Sequence, residues 1–97
     1  MRKMALVIER KVQEYILEEG LNEINMPKDA YLCDVGLNEN DSMVLWAEVK
    51  TPTRMKIRKF RVIRSKWPIA GPTKKMRYVG TFNNVDKTPW HVYEEVK

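Results

Sequence analysis

The chain has 97 residues, of which 43% are hydrophobic and 32% are charged, and its formal net charge is +5. This length supplies apolar material for one core only, and the composition excludes a disordered tail or a low-complexity linker. We therefore predict a single domain over residues 1–97, with residues 1–10 as a candidate N-terminal extension.

The sequence contains few residues that could bind zinc or form a disulfide, and no long apolar segment at its start. Cys33 is the single cysteine and His91 the single histidine. One thiol cannot form an intramolecular disulfide, and the two residues are too few for the ligand set that zinc requires. The apolar run at residues 4–8 is too short for a signal-peptide core or a membrane span. We expect a cytoplasmic protein with no metal, no cofactor and no membrane contact.

The first predicted element, over residues 8–20, has an ambiguous pattern. Apolar residues recur there at helical spacing, and Gly20 could end a helix. These residues are Ile8, Val12, Tyr15 and Ile16. Local propensity therefore predicts a short helix.

After Gly20 the pattern changes to short strands that are separated by turn residues. We predict a turn at residues 27–29, a long loop at 67–76, and strands at 21–26, 30–35, 43–50, 54–64, 77–82 and 90–96. Within 54–64 the apolar positions change from odd to even numbers after Ile57, which predicts a bulge near Arg58 and Lys59. The fold class is mainly β: a small single-domain barrel or sandwich of five to six strands, with at most one short helix.

The basic residues are concentrated in one part of the chain. Between Thr51 and Gly80 there are ten lysines and arginines and no acidic residue. Such a segment predicts a positive surface that attracts phosphates, anionic lipids or an acidic protein. A solvated, lysine-rich edge strand that deters aggregation is the alternative interpretation.

Catalysis has little support in the sequence. A Ser-His or Cys-His nucleophile pair would have to use His91, which lies in the middle of a predicted strand. No P-loop, glycine-rich dinucleotide turn or metal-ligand spacing occurs. We expect a structural histidine, no catalytic residue and no enzymatic activity.

Binding has better support, because aromatic residues interrupt the basic segment at Phe60, Trp67 and Tyr78. Cations for phosphate beside rings for base stacking are what a nucleotide ligand needs. Phe60 is more simply explained as a core residue, and Trp67 could equally pack its own loop. Gly80 beside Thr81 permits close approach of a ligand, or marks a plain β-bulge.

Five stretches of the sequence resemble a family of small phage proteins that was long labelled only as a domain of unknown function. They are MPKDA at 26–30, LWAEV at 45–49, RKFRV at 58–62, YVGTF at 78–82 and WHVYE at 90–94. The most specific are the last two. The family usually has a Gly-Thr-Gly-His loop after the Arg-x-Phe strand, whereas this chain has RSKW at 64–67.

This family is similar to phage anti-CBASS sponge proteins, which bind the cyclic dinucleotides released by bacterial immune enzymes without cleaving them. The resemblance implies a β-rich fold, a homo-oligomer (dimer or tetramer) with ligand sites at subunit contacts, and a location in the cytoplasm of the infected host. It also implies that Lys11–Ile16 is a strand, and we follow it over the helical spacing.

The leading hypothesis is a sponge for a cyclic dinucleotide such as cyclic GMP-AMP. Its candidate ligand-binding residues are Arg58, Arg61 and Lys66 for phosphate, Trp67 and Tyr78 for stacking, and Ser65 and Thr81 for ribose or base edges. The alternative is a small β-barrel that binds RNA or single-stranded DNA. An inhibitor of an acidic host protein and a nucleotide hydrolase are further rivals.

Overall fold

The computed structural model describes residues 9–51, 54–66, 68 and 75–96. These residues form seven strands and no helix: β1 Glu9–Ile16, β2 Gly20–Pro27, β3 Tyr31–Leu37, β4 Met43–Thr51, β5 Met55–Arg64, β6 Met76–Asn83 and β7 Pro89–Glu95. One sheet has the order β1-β4-β3 and the other the order β2-β5-β7-β6. The predicted β class is confirmed, with one strand more than expected.

Both sheets contribute side chains to one core. In β4, Leu45 and Ala47 are fully buried, and they belong to the same apolar cluster as Phe60 and Val62 of β5 and Val92 of β7. Each of these strands alternates buried and more exposed residues, as a strand does when one face lies on a core. The molecule is therefore a small β-sandwich.

The additional strand is β1, and it overturns the helix predicted from residue spacing. β1 pairs with β4 without interruption from Glu9 opposite Thr51 to Ile16 opposite Val44. Val12 and Ile16, which suggested a helical stripe, are 60% and 59% exposed. Backbone pairing with β4 rather than burial of an apolar stripe determines the conformation here, and the strand implied by the resemblance is confirmed.

The predicted bulge near Arg58 and Lys59 is absent. β5 pairs continuously with β2, from Val62 down to Met55. Met55 and Ile57 are exposed. The apolar residues therefore change from odd to even positions because the first part of β5 extends beyond the core, and not because the strand has a bulge. Register shifts lie instead in β3, between residues 32 and 34, and in β6, between residues 78 and 80.

The turn between β2 and β3 fixes where β3 begins. The amide of Ala30 donates to the carbonyl oxygen of Pro27 at 3.0 Å, and the amide of Lys28 donates to that of Arg54 at 2.7 Å. These bonds hold the start of β3 close to the start of β5. The described residues include no helix of the length and apolar character needed to cross a membrane.

Candidate ligand-binding site

A groove of about 270 Å³ lies between β3 and β6, and we call it the β3–β6 groove. Its walls are formed by Ala30, Tyr31, Leu32, Arg58, Arg77, Tyr78 and Val79. Tyr31 and Tyr78 are 69% and 56% exposed, although tyrosine rings are normally more buried than this. Two open aromatic rings and two guanidinium groups therefore meet around one depression.

The groove exists because β6 comes very close to β3. A Cβ atom at Gly80 would lie 2.8 Å from Cγ2 of Val35, which is closer than two carbon atoms can pack. Val79, the extra residue at the register shift, lines the groove beside Tyr78. Gly80 thus makes room for the opposite sheet, and the register shift between Tyr78 and Gly80 is the β-bulge that the sequence offered as the alternative to close approach of a ligand.

Arg58 closes the inner side of the groove. Its Nη1 atom donates to the carbonyl oxygen of Ala30 at 2.8 Å, and its Nε and Nη2 atoms donate to the Glu94 carboxylate at 2.6 and 2.8 Å. The guanidinium thereby ties the β2–β3 turn and β7 to β5. Its charge is matched by Glu94, so Arg58 contributes orientation more than net charge to the site.

Arg77 supplies the unbalanced charge of the groove. Its side chain is exposed, and its backbone position is opposite Glu94 in the β6–β7 ladder. Two guanidinium groups against one carboxylate leave the groove positive, which favours an anionic ligand. Arg77 and Tyr31 were not among the site residues predicted from the sequence. The adjacent Arg77-Tyr78 pair was a usable signal for the first, whereas Tyr31 had none.

Tyr78 is held in place by polar neighbours on β6 and β7. Its hydroxyl is hydrogen-bonded to Thr81 Oγ1, which is in turn 2.9 Å from Nδ1 of His91. Its ring meets the Tyr93 ring edge to face, with the centroids 5.7 Å apart. Thr81 and His91 therefore hold the Tyr78 ring in one orientation. Because the ring is already ordered, stacking a ligand on it costs less conformational entropy.

Three other predicted site residues lie elsewhere. Arg61 is on the outer face of β5 and forms an ion pair with Glu95. Ser65 and Lys66 form the turn after β5, where the Ser65 amide donates to the Pro89 carbonyl oxygen. At about 3.4 Å per residue, this turn is roughly 24 Å along the strand from Arg58. The structure does not bring these residues to the groove, and Trp67 lies outside the described residues.

The basic segment is partly neutralised in space. Four of its cations have carboxylate partners from other parts of the chain, in the pairs Arg58–Glu94, Lys59–Glu23, Arg61–Glu95 and Arg64–Glu19. Three of these acids lie in β2 and β7, the strands that pair with β5, and Glu19 directly precedes β2. Within the described ranges, no ion pair is seen for Arg54, Lys56, Lys66, Lys75 or Arg77, and these side chains carry the positive excess.

The comparison with protein families gives one result. A family model described as Domain of unknown function (DUF7352) matches residues 8–97. The chain belongs to this family. No curated protein and no solved structure matches it. The DUF7352 description names no activity, and the described part of the chain has no cluster of three or more His, Cys, Asp or Glu residues that could hold a metal ion.

Proposed function

We propose that this DUF7352 domain is a phage immune-evasion protein that binds and sequesters a cyclic dinucleotide second messenger, such as cyclic GMP-AMP, without cleaving it. The observation that carries the proposal is the pairing of exposed Tyr31 and Tyr78 with Arg58 and Arg77 around one groove. Rings stack on the flat faces of a base, and guanidinium N–H groups donate paired hydrogen bonds to phosphate oxygens.

The size of the groove limits what it can hold. Sites for drug-sized ligands measure about 300–1,000 Å³, so a groove of about 270 Å³ fits one nucleotide half of such a ligand. A second depression of about 560 Å³ shares Arg58 and is lined by Lys56 and Lys59 together with Glu94 and Glu95, whose carboxylates are paired with Arg58 and Arg61. A ligand with two phosphates would straddle Arg58, with Arg77 on one side and these lysines on the other.

The proposed location is the cytoplasm of the infected bacterium, where the messenger is made, and the proposed assembly is a homo-oligomer. Cleavage is not part of the proposal. The single histidine of the sequence is bonded to Thr81 and supports the position of Tyr78, and this role needs no proton transfer to the ligand.

Calorimetric titration with cyclic GMP-AMP tests the proposal. Tyr31→Ala and Tyr78→Ala should each weaken binding about 5- to 150-fold, since a stacked base is worth about 1–3 kcal/mol. Tyr78→Phe keeps the ring and should bind more tightly than Tyr78→Ala. Val85→Ala, which removes an exposed apolar side chain from the β6–β7 turn, is the matched control and should bind normally.

The fate of the ligand is a second test of the same proposal. Cyclic GMP-AMP should leave the free pool when the protein is in excess and return unchanged after heat denaturation, as chromatography of the released nucleotide would show. Recovery of linear nucleotides would show that the protein hydrolyses the ligand and would contradict the sponge hypothesis. The hypothesis that the β3–β6 groove binds the ligand would be rejected if the wild-type protein did not bind it, or if both tyrosine-to-alanine variants bound it normally.

A small protein that binds RNA or single-stranded DNA is the second candidate. Three cations support it: Arg54 and Lys56 at one end of β5 and Lys66 at the other, for which the described residues show no ion pair. They could follow a phosphate backbone along the strand. This candidate predicts tight binding of oligonucleotides and little response to Tyr31→Ala.

A further inference from the structure

Among the residues that the structure describes, the outer edge of β1 has no neighbouring strand. β1 is the first strand of the β1-β4-β3 sheet, and the Leu17 amide donates to the Met43 carbonyl oxygen where the ladder ends. Backbone groups in an antiparallel strand point alternately to the two sides, so the odd-numbered residues face β4 and the even-numbered residues face outward. Within the described chain, no strand pairs with that outward side.

Of the features that normally prevent edge-to-edge pairing, this edge has charged side chains, including Arg10 and Lys11, but neither a proline nor a bulge. β1 has neither proline nor glycine, and its ladder with β4 runs through eight residue pairs without a bulge. Val12 and Ile16 expose more than half of their surface beside it. A long, regular and partly apolar edge is a template for another strand.

We propose that β1 pairs with β1 of a second copy of this chain, antiparallel and with the two-fold axis at Val12. Backbone hydrogen bonds between two such edges require even-numbered residues opposite even-numbered residues. With the axis at Val12, Arg10 lies opposite Glu14 of the other copy on both sides of a Val12–Val12 contact. On the other face, Lys11 lies opposite Gln13.

Charge selects this register over its neighbours. Moving the axis to Glu14 would set two carboxylates against each other, and moving it to Gln13 would set Val12 against Glu14. Like charges directly opposite each other destabilise a strand pair, and opposite charges stabilise it. Within its own chain, Arg10 forms an ion pair with Glu48 and Glu14 accepts a hydrogen bond from Asn38, so both side chains are ordered beside the edge of β1.

Sedimentation equilibrium over micromolar to millimolar concentrations tests this assembly, which does not depend on the nucleotide. The wild-type chain should form a reversible dimer. Arg10→Glu and Glu14→Arg each set like charges opposite each other twice, so each should raise the dimer dissociation constant about tenfold or more. An equimolar mixture of the two variants restores opposite charges at both positions and should dimerise nearly as well as the wild type.

Cross-linking locates the axis directly. Residues in a hydrogen-bonded pair have Cα atoms about 5.5 Å apart, within the range of about 4.4–6.8 Å that a disulfide spans. In a Cys33→Ser background, Val12→Cys should form a disulfide-linked dimer under mild oxidation. Val85→Cys, at an equally exposed position in the β6–β7 turn, is the control and should not.

Three results would overturn the proposal. They are a wild-type monomer at every concentration, a mixture of charge variants that dimerises no better than either variant alone, and equal cross-linking through positions 12 and 85. Circular dichroism of each variant shows whether it has kept its β structure. The charge mixture compares two variants with each other, so a uniform loss of stability cannot imitate rescue.

Discussion

Arg58 and Glu94 form a two-bond ion pair inside the sandwich, with distances of 2.6 and 2.8 Å and side-chain exposures of 11% and 7%. The pair joins the middle of β5 to the end of β7. Arg58 also lies 5.8 Å from the centroid of the Phe60 ring, which shields it further from water. The arginine that borders the groove is therefore part of the folded core as well.

Removal of the Glu94 charge should destabilise the domain strongly. Glu94→Gln leaves the Arg58 guanidinium without its counter-charge in a poorly hydrated place, and the cost of breaking a buried pair in this way is about 3–5 kcal/mol. Urea unfolding measures it. Glu23→Gln is the matched control, because the Lys59–Glu23 pair is solvent-exposed at 3.8 Å and should cost less than about 1 kcal/mol. Equal effects of the two changes would contradict the structural role of Glu94.

Gly80→Ala should destabilise the domain by about 1–3 kcal/mol, because the new methyl group overlaps Cγ2 of Val35. The sheets would have to separate where the β3–β6 groove is formed. Val35→Ala removes the overlapping methyl groups, so the double variant should be more stable than the sum of the two single losses predicts. Thermal unfolding of all four proteins gives this coupling, and strict additivity would mean that β3 and β6 do not approach as described.

The sequence predicted the strands whose residues alternate between core and solvent. β4 is the clearest case, since Leu45, Ala47 and Val49 repeat every second residue and are all buried. β1 could not be predicted in this way, because it is an edge strand with Val12 and Ile16 in solvent. Its conformation comes from backbone pairing with β4, which leaves no pattern of burial in the local sequence.

The candidate site was predicted only in part, for a similar reason. The ten cations of the basic segment are neighbours along the chain, but Glu94 is brought to Arg58 by sheet pairing that composition does not reveal. Tyr31 and Tyr78 line the same groove from different sheets. Tyr78 itself was predicted because a basic residue precedes it, which is a local signal.

Asp86 should give the stability of the β6–β7 turn a pH dependence. The Thr88 amide donates to its carboxylate at 3.0 Å, and this hydrogen bond is the main reason that the Asp86 pKa is lowered. A lowered pKa in the folded state contributes stability above the unfolded value of about 3.9, and this stability is lost as the pH falls through the folded value.

Asp86→Asn should therefore lower the melting temperature at neutral pH and make no difference in strong acid. Glu39→Gln, in the β3–β4 loop, controls for the change in net charge. Calorimetry from neutral to acidic pH makes the comparison. A deficit of the Asp86→Asn variant that stays constant down to the lowest pH would show that the hydrogen bond does not act through ionisation.

The salt dependence of binding should separate the two candidate functions. A groove that tracks a polymer neutralises many phosphates and releases many counterions, so the logarithm of its affinity falls steeply with the logarithm of salt concentration. A site for a two-phosphate ligand releases about two counterions at most, because the ligand carries only two charges. Base stacking on Tyr31 and Tyr78 is barely screened by salt.

We expect a shallow slope for cyclic GMP-AMP, and Arg77→Gln should make it shallower still by removing one phosphate contact. Lys87→Gln, an exposed cation in the β6–β7 turn, should leave the slope unchanged and serves as the control for net charge. Trp67, the other stacking residue predicted from the sequence, is tested in the same titrations: Trp67→Ala should cost about 1–3 kcal/mol of binding, and Lys74→Ala, a cation in the same predicted loop, is its control. Tight binding of single-stranded RNA with a steep slope, together with weak or absent cyclic GMP-AMP binding, would favour the nucleic-acid binder. In that case Arg77 would act as one of many equivalent cations, since a backbone-tracking surface draws its affinity from the sum of its phosphate contacts and not from any one groove.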